Sequence, residues 1–336
     1  MSSPQVSVCI PTFNKASFLR ESIQSVLCQT FEDYELVVLD DASTDDTPIV
    51  VKAFGDYRIK YIRHTENIGL PANFNECLRK ARADYVIIFH DDDVMLPELL
   101  ECEVSTLESY PEVAFVHAPV QVIDADGCVY SVPPNKWPPL TEGTEFVKLF
   151  CSSFDYGVTM SSVMMRKSIA LSLGGFNETF PFSLDANLWQ RMAFQGKVAF
   201  VNRILLSNRV HSGQTTRKVL MHRSQMLGDR IRFAEETRRL LLDHHVNIDR
   251  SISRQLSRHI SSDLTQLRCQ GANSEQIVRY FWAAVRLDRR AVLSLRLLVY
   301  LPLALLPMSL VRALKKLHGR WFLWRHHGGF RWKNSI

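Results

Sequence analysis

YVIIFHDDD, residues 85–93, is the stretch that decides the fold. Its first five residues, Tyr85–Phe89, are β-branched or aromatic, which is typical of a buried strand, and three aspartates end the run abruptly. The preceding sequence repeats this arrangement of a short apolar run followed by residues at helical spacing. The other predicted strands are Val6–Ile10, Glu35–Leu39 and Ile59–Arg63. Strands that alternate with helices at this interval predict an α/β domain with a mostly parallel central sheet.

The pattern loosens after about Pro119, where prolines at 133, 134, 138 and 139 predict a loop. Further predicted elements are a strand near Ser161–Met165, a helix from about Asp185 to Gln195 and a strand near Leu205–Val210. Residues 219–288 contain few Gly and no Pro, which favours helices. We therefore predict a nucleotide-binding domain at 1–215, a helical region at 216–290 and a separate tail at 291–336.

The composition is that of a folded protein in a reducing compartment. The chain has 336 residues, of which 46% are hydrophobic, enough for a sizeable core, and this excludes wholesale disorder. Its seven Cys are widely spaced and form no Cys-x-x-Cys pair, which argues against a zinc site or a disulfide framework. The N-terminus lacks a basic segment followed by an apolar run, so we predict a cytoplasmic protein.

The C-terminal tail differs from the rest of the chain in charge. From Arg289 onward there are ten Lys or Arg and no Asp or Glu. Within it, the apolar run 297–311 would span about 22 Å as a helix, less than the bilayer core of about 30 Å, and Pro302 and Pro307 interrupt it. The tail predicts attachment to the inner face of the cell membrane without crossing it. Alternatives are burial of the run in the protein's own core or a dimer interface, and a non-enzymatic module that binds membrane or nucleic acid.

Polar clusters follow three predicted strands, and in a parallel sheet such strand ends share one edge. The clusters are Pro11-Thr12-Phe13-Asn14, Asp40 to Asp45 and His90-Asp91-Asp92-Asp93. Because the chain has no Gly-rich phosphate loop, a diphosphate ligand would need a cation held by carboxylates. Residues 91–93 are the candidate metal site, although they could instead cap the helix that begins near Pro97. Asp40 and Asp41 either form turns or bind a nucleotide base or ribose.

Several stretches together resemble family 2 glycosyltransferases with the GT-A fold. They are VSVCIPTFN, VVLDDASTDDT, ENIGLPANFNECLRKARADYVIIFHDDDVMLP, GGFNETFPFSLDANLWQRMAFQG and RVHSGQTT. They occur in the family's order over roughly residues 5–215, and the resemblance is specific as an ensemble.

The resemblance implies a role for each matching residue. Pro11, Thr12 and Phe13 would lie against the nucleotide base, Asp41 would hydrogen-bond the base, and Asp91 would face the ribose. The implied nucleotide-sugar site comprises Pro11, Thr12, Phe13, Asn14, Asp41, Asn67, Gly69 and Asp91.

The resemblance also implies a metal site and a general base. Asp92 would bind Mn²⁺ or Mg²⁺ together with Asp93 and His211, while His90 stands where many members carry the first acidic residue of a D-x-D. Asp185 matches the general base, but this chain has Leu184 where many relatives carry a Glu.

The implied activity is inverting transfer of one sugar from a nucleotide-diphosphate donor, UDP- or dTDP-linked, to a glycan or lipid-linked acceptor. We expect a role in cell-surface polysaccharide synthesis and no nucleic-acid partner. A sugar-phosphate nucleotidyltransferase is the enzymatic alternative, but such enzymes usually carry a Gly-rich basic loop after the first strand. Here that loop is PTFNKASF, with one Lys and no Gly.

Overall fold

A computed structural model describes residues 3–133, 137–152, 157–180, 182–214, 223–248, 253–254 and 273–288. The chain divides into two compact units. The first comprises Met1–Leu220 and Glu235–Ile248, and the second comprises Met221–Ala234 and Asp249–Ile336. The tail predicted at 291–336 lies outside the described residues.

The described residues form twelve strands and nine α-helices. The strands are β1 (Val6–Thr12), β2 (Tyr34–Asp40), β3 (Ile59–Arg63), β4 (Tyr85–Ile88), β5 (Val94–Met95), β6 (Val113–His117), β7 (Val120–Ile123), β8 (Val129–Ser131), β9 (Leu140–Thr141), β10 (Val163–Arg166), β11 (Lys197–Phe200) and β12 (Leu206–Arg209). The helices are α1 (Ala16–Leu27), α2 (Thr47–Lys52), α3 (Leu70–Lys80), α4 (Leu99–Ser109), α5 (Gly143–Ser152), α6 (Lys167–Ser172), α7 (Leu184–Ala193), α8 (Arg223–Asp243) and α9 (Ser274–Leu287).

The larger sheet has eight strands in the order β3-β2-β1-β4-β10-β6-β11-β9. Strand β1 lies parallel to both β2 and β4, with Thr12 opposite Asp40 and Cys9 opposite Ile88. Four of the seven strand pairs are parallel, and the antiparallel strands β10 and β9 make the other three pairs. The predicted α/β fold with a mostly parallel central sheet is confirmed. The carboxyl ends of β1, β2 and β4 meet at one edge. We call it the donor edge because the family resemblance implies that a nucleotide-sugar donor would bind there.

The core forms where helices cover this sheet. All seven residues of β1 are buried, which is the pattern of a strand packed on both faces. Helix α1 buries Leu19, Ile23 and Val26 at helical spacing, so one apolar stripe faces the sheet. Strand β1 is thereby held between its neighbours, and the residues that follow it are carried to the donor edge.

A second sheet, of four strands in the order β5-β12-β7-β8, extends the donor edge. Strand β5 begins directly after Asp93 and pairs antiparallel with β12, placing Leu206 opposite Met95. This pairing brings residues 206–213 beside the aspartates at 91–93.

The predicted helical character after residue 219 is present in α8 and α9. Among the described residues, we find no helix with the length and apolarity that a bilayer span requires.

Candidate functional site

Hydrogen bonds join the loops that follow β1 and β2. Asn14 has a left-handed backbone with φ of 54°, and its amide donates to Ser43 Oγ at 2.9 Å. Its Oδ1 accepts from the Thr44 amide at 2.8 Å, and the Asp41 amide donates to Thr12 O at 2.9 Å. The structure thus places residues 11–14 directly beside Asp41. Phe13 remains 45% exposed.

The carboxylate of Asp41 binds the loop that follows β3, residues 64–69. Its Oδ1 accepts from the Ile68 amide at 2.7 Å, and its Oδ2 accepts from the Gly69 amide at 3.0 Å. The side-chain amide of Asn67 donates to Asp41 O at 3.2 Å. Gly69 has φ of 85°, which favours glycine at this turn. Asn67, Gly69 and Asp41, all predicted nucleotide-site residues, are therefore directly linked.

The three aspartates that follow β4 are all buried, but the protein binds them differently. Asp93 Oδ2 accepts from Ser161 Oγ at 2.6 Å. Its Oδ1 accepts from Asn208 Nδ2 at 3.0 Å and from the Arg209 amide at 2.9 Å. Both oxygens of Asp93 are therefore hydrogen-bonded within the protein. Its role as a metal ligand stays a prediction.

Asp92 instead contacts two basic side chains. Its Oδ2 lies 3.0 Å from His211 Nε2 and 3.3 Å from Lys15 Nζ. The Gly213 amide donates to His211 Nδ1 at 3.2 Å, and the Phe18 ring packs 4.4 Å from the imidazole. The structure therefore brings together Asp92 and His211, which are 119 residues apart in sequence.

Arg209 fixes the backbone around this cluster. Although it is only 1% exposed, its Nε donates to Asp92 O at 2.9 Å, and its Nη1 donates to the carbonyls of Asp124 and Ala125. Its remaining guanidinium nitrogen pairs with Glu21. A buried guanidinium with this many acceptors holds the 91–93 turn against the β7–β8 connection.

Burial and neighbouring charges separate the three carboxyl groups in acidity. Burial, followed by the charge of Asp92, raises the pKa of Asp91 to about 7. Burial also raises the pKa of Asp93, and the Asp92 charge adds to that effect. For Asp92, burial opposes ionisation, but His90, His211 and Lys15 outweigh it and hold its pKa below the ordinary value. Of the three, Asp92 is therefore the carboxyl group whose charged form the surroundings favour.

The donor atoms suit a divalent cation. Octahedral ligands that neighbour each other about 2.1 Å from one ion lie about 3 Å apart, and Asp92 Oδ2 lies 3.0 Å from His211 Nε2. His90 also lies close, since ligand atoms of His90, Asp92 and Asp93 all fall within 4.8 Å of one another. Carboxylate and imidazole therefore converge at the position where the resemblance implies a cation.

Asp185 lies on α7, in the same compact unit as these loops. It occupies the first turn of α7, is half-buried, and its Oδ1 accepts from the Ala186 amide at 2.7 Å. The helix buries Leu188, Trp189 and Met192 against its surroundings, and Leu184 is buried where many relatives would carry a Glu. Asp185 is therefore positioned by apolar packing of its helix.

Comparison with known proteins identifies the family. The profile of Glycosyl transferase family 2 matches residues 7–170. The putative glycosyltransferase EpsE of Bacillus subtilis is 32% identical over 205 residues, which cover 58% of this chain and 69% of EpsE. The chain belongs to glycosyl transferase family 2. An uncharacterized glycosyltransferase from Rickettsia felis is 28% identical over 66% of this chain. This family 2 glycosyltransferase spans only 37% of the length of that relative.

Solved structures confirm the GT-A fold of this family 2 glycosyltransferase. S. aureus TarS 1–349, in complex with UDP-GlcNAc, superposes with a TM-score of 0.68 at 16% identity over 95% of this chain and 93% of that one. The mannosyltransferase PcManGT from Pyrobaculum calidifontis, in complex with GDP-Man and Mn²⁺, superposes with a TM-score of 0.52 at 16% identity, covering 95% and 89%.

Three residues of the site were not predicted from the sequence of this family 2 glycosyltransferase. The sequence marks Lys15 only as the single cation of its loop, and it places Arg209 and Ser161 in predicted strands. Arg209 carried one signal, since a charged residue two positions before His211 is unusual for a buried strand. Ser161 carried none.

Proposed function

We propose that this glycosyltransferase is an inverting, cation-dependent enzyme that moves one sugar from a nucleotide-diphosphate donor to a hydroxyl of a glycan or lipid-linked acceptor. The observation that carries the proposal is the contact of Asp92 with His211 at the donor edge, 3.0 Å apart. This contact supports a cation site beside the polar loops that follow β1 and β2.

The donor end of the reaction uses the three cross-linked loops. Phe13 offers an exposed aromatic face on which a base can stack, with Pro11 and Thr12 behind it. In this proposal, Asp41 and Asn67 hydrogen-bond the base, and Asp91 faces the ribose. Asn14 and Gly69 shape the loops so that backbone can approach the donor. A UDP- or dTDP-linked sugar is the proposed donor, and the UDP-GlcNAc bound by TarS supports this choice.

Asp92 and His211 would hold Mn²⁺ or Mg²⁺, and Asp93 would support them from behind through its bonds to Ser161 and Arg209. The cation supplies charge stabilisation to the departing diphosphate. A diphosphate oxygen stabilised in this way leaves without being protonated, so the site needs no second acid at the donor. This division differs from that of glycoside hydrolases, in which an acid protonates the leaving oxygen.

The acceptor end uses Asp185 as the general base. Its carboxylate would take the proton from the acceptor hydroxyl as that oxygen attacks the anomeric carbon from the side opposite the diphosphate. A single displacement of this kind inverts the anomeric configuration. With Leu184 in place of an acidic neighbour, Asp185 would work without a second carboxylate beside it. Cell-surface polysaccharide synthesis is the proposed context.

A donor screen tests this function. The protein is incubated with a panel of nucleotide sugars and Mn²⁺ or Mg²⁺, and release of nucleoside diphosphate is measured. We expect turnover with one donor that stops in excess EDTA and in Asp92→Asn, while Asp126→Asn, an exposed carboxylate in the β7–β8 turn, retains it. Full activity in EDTA would contradict the cation requirement, and release of pyrophosphate instead would indicate a nucleotidyltransferase.

The tail at 291–336 is proposed to attach the enzyme to the cytoplasmic face of the membrane. Its support is the sequence alone: an apolar run too short to span, with basic residues on both sides. The full-length protein should float with anionic vesicles, and changing Arg312, Lys315, Lys316 and Arg320 to Gln should release it. Flotation that is the same with neutral and anionic vesicles, and unchanged by these substitutions, would contradict the proposal.

A further inference from the structure

The ammonium group of Lys15 lies in a cage of three polar atoms. Its Nζ is 3.3 Å from the acceptor Asp92 Oδ2 and 3.3 Å from His211 Nε2. The third atom is the acceptor Gly213 O at 3.4 Å. The Lys15 side chain is only 17% exposed, and that of Asp92 is 10% exposed. The cage is therefore a nearly enclosed site that already holds one positive charge.

The cage uses the atoms that a divalent cation would use. Asp92 Oδ2 and His211 Nε2 are the two ligand atoms that fit one ion, and both face the Lys15 ammonium. An ion bound to both atoms would lie within a few ångströms of Nζ, where two like charges repel strongly in a buried site. The ammonium and the cation cannot occupy this cage together.

We propose that Lys15 is a positioning residue that competes with the divalent cation for Asp92 and His211, and that moves to the donor diphosphate when the cation binds. Lys15 precedes α1 directly, so its backbone is fixed, while its flexible four-carbon side chain can swing between acceptors. A diphosphate bound at this edge offers the ammonium new anionic partners. The inference rests on the proposed cation dependence of the enzyme.

This exchange makes the cation and the nucleotide bind cooperatively. Without a diphosphate, the cation must displace Lys15 from its acceptors, which weakens cation binding. With a diphosphate, Lys15 has another anion to pair with, and the cation gains phosphate ligands. The two ligands thus favour each other through Lys15, and by linkage the coupling is the same in both directions.

The test is a titration of the full-length protein with Mn²⁺, in which free Mn²⁺ is followed by electron paramagnetic resonance with and without UDP. We expect Lys15→Met to bind Mn²⁺ at least tenfold more tightly than the wild type when UDP is absent. UDP should then tighten Mn²⁺ binding by a smaller factor in Lys15→Met than in the wild type. Lys60→Met, an exposed residue of β3, should behave as the wild type.

Unchanged or weaker Mn²⁺ binding by Lys15→Met in the absence of UDP would overturn the inference, provided that the variant retains the wild-type melting temperature. If it does not, Lys15→Gln, which keeps a polar side chain, is titrated in its place with the same expectation. Wild-type binding that requires Asp92 but is insensitive to Lys15 would overturn this inference alone. Absence of Mn²⁺ binding in every protein, with or without UDP, would overturn both it and the cation-dependent function.

Discussion

The donor edge and the region around β6 differ in how their buried polar side chains are hydrogen-bonded. At the donor edge, Asp41, Asp93 and Arg209 are buried and accept or donate several hydrogen bonds each. Around β6, both nitrogens of His117 and both oxygens of Glu103 are fully buried and have no hydrogen-bond partner among the described residues. Directional bonds therefore set the geometry of the donor edge, whereas apolar packing sets that of the β6 region.

Aromatic side chains form much of this second region. The His117 ring packs 5.1 Å from Phe200 and 5.5 Å from Trp137, and Phe115 packs 5.3 Å from Trp189 of α7. This packing holds α7, which carries Asp185, against β6. We therefore expect substitutions at the donor edge to weaken binding of the cation or the donor. Substitutions around β6 should instead change how the unfolding free energy depends on pH.

The largest expected effect is that of Asp185→Asn, which keeps the shape of the side chain but removes the base. Loss of a general base costs about 10²–10⁴ in rate, so kcat should fall by that factor. Donor affinity, measured by calorimetry, should stay within error of the wild type because Asp185 belongs to α7 and not to the donor edge. A fall in donor affinity that parallels the fall in turnover would show that Asp185 serves the donor.

A smaller effect should separate Asp93 from Asp92. Asp93→Asn removes the charge that strengthens the bonds from Ser161, Asn208 and the Arg209 amide, and its new NH2 group must face at least one of these donors, so we expect a loss of about 2 to 3 kcal/mol in unfolding free energy. Asp92→Asn should abolish Mn²⁺ binding and should cost less stability than Asp93→Asn, because its amide oxygen can still accept from Lys15. Urea unfolding and Mn²⁺ titration of both variants provide the check, and equal destabilisation by the two substitutions would contradict the distinction.

The elements that the sequence predicted well are those defined by local patterns. The predicted strands Val6–Ile10, Glu35–Leu39 and Tyr85–Phe89 match β1, β2 and β4 to within two residues, and Ile59–Arg63 matches β3. The sheet order was not predicted, because the insertion of β10 between β4 and β6 depends on pairing between residues far apart in sequence. The second sheet was missed for the same reason.

The same distinction between local patterns and long-range contacts applies to the site. The acidic loops were recognisable because carboxylates cluster after predicted strands, and the contact between Asp92 and His211 followed from the family resemblance. The partners of Asp93 could not be found in this way, since Ser161 and Arg209 reach it from 68 and 116 residues away. Lys15 reaches His211 across 196 residues. Local sequence does not specify which residues meet across such separations, even where one of them, like Arg209, is unusual in its own segment.

His117 tests the β6 side of the comparison. Burial lowers the pKa of His117 to about 3, so the unfolded chain takes up a proton below its ordinary value near 6.5 while the folded protein does not. Stability should therefore fall as the pH drops through 6.5, by about 2 kcal/mol at pH 5 from this group. His117→Phe should lose that part of the pH dependence, and His244→Phe should retain it. Identical pH profiles for wild type and His117→Phe would contradict the assignment.

Glu103 should give the smallest effect. Its contribution to stability should depend on pH with the opposite sign to that of His117. It lies on α4, which packs against β6, and burial raises the pKa of its carboxyl well above the ordinary value. The folded protein then holds a proton that the unfolded chain releases above about pH 4.5, so this group lowers stability as the pH rises. Glu103→Gln cannot ionise and should have a higher unfolding free energy than the wild type at pH 8, with the difference vanishing near pH 4. Glu112→Gln, an exposed residue before β6, is the matched control and should show no such trend. Urea unfolding at the two pH values measures this, and a variant that is less stable than the wild type at pH 8 would mean that the Glu103 carboxylate has a partner that stabilises its charge.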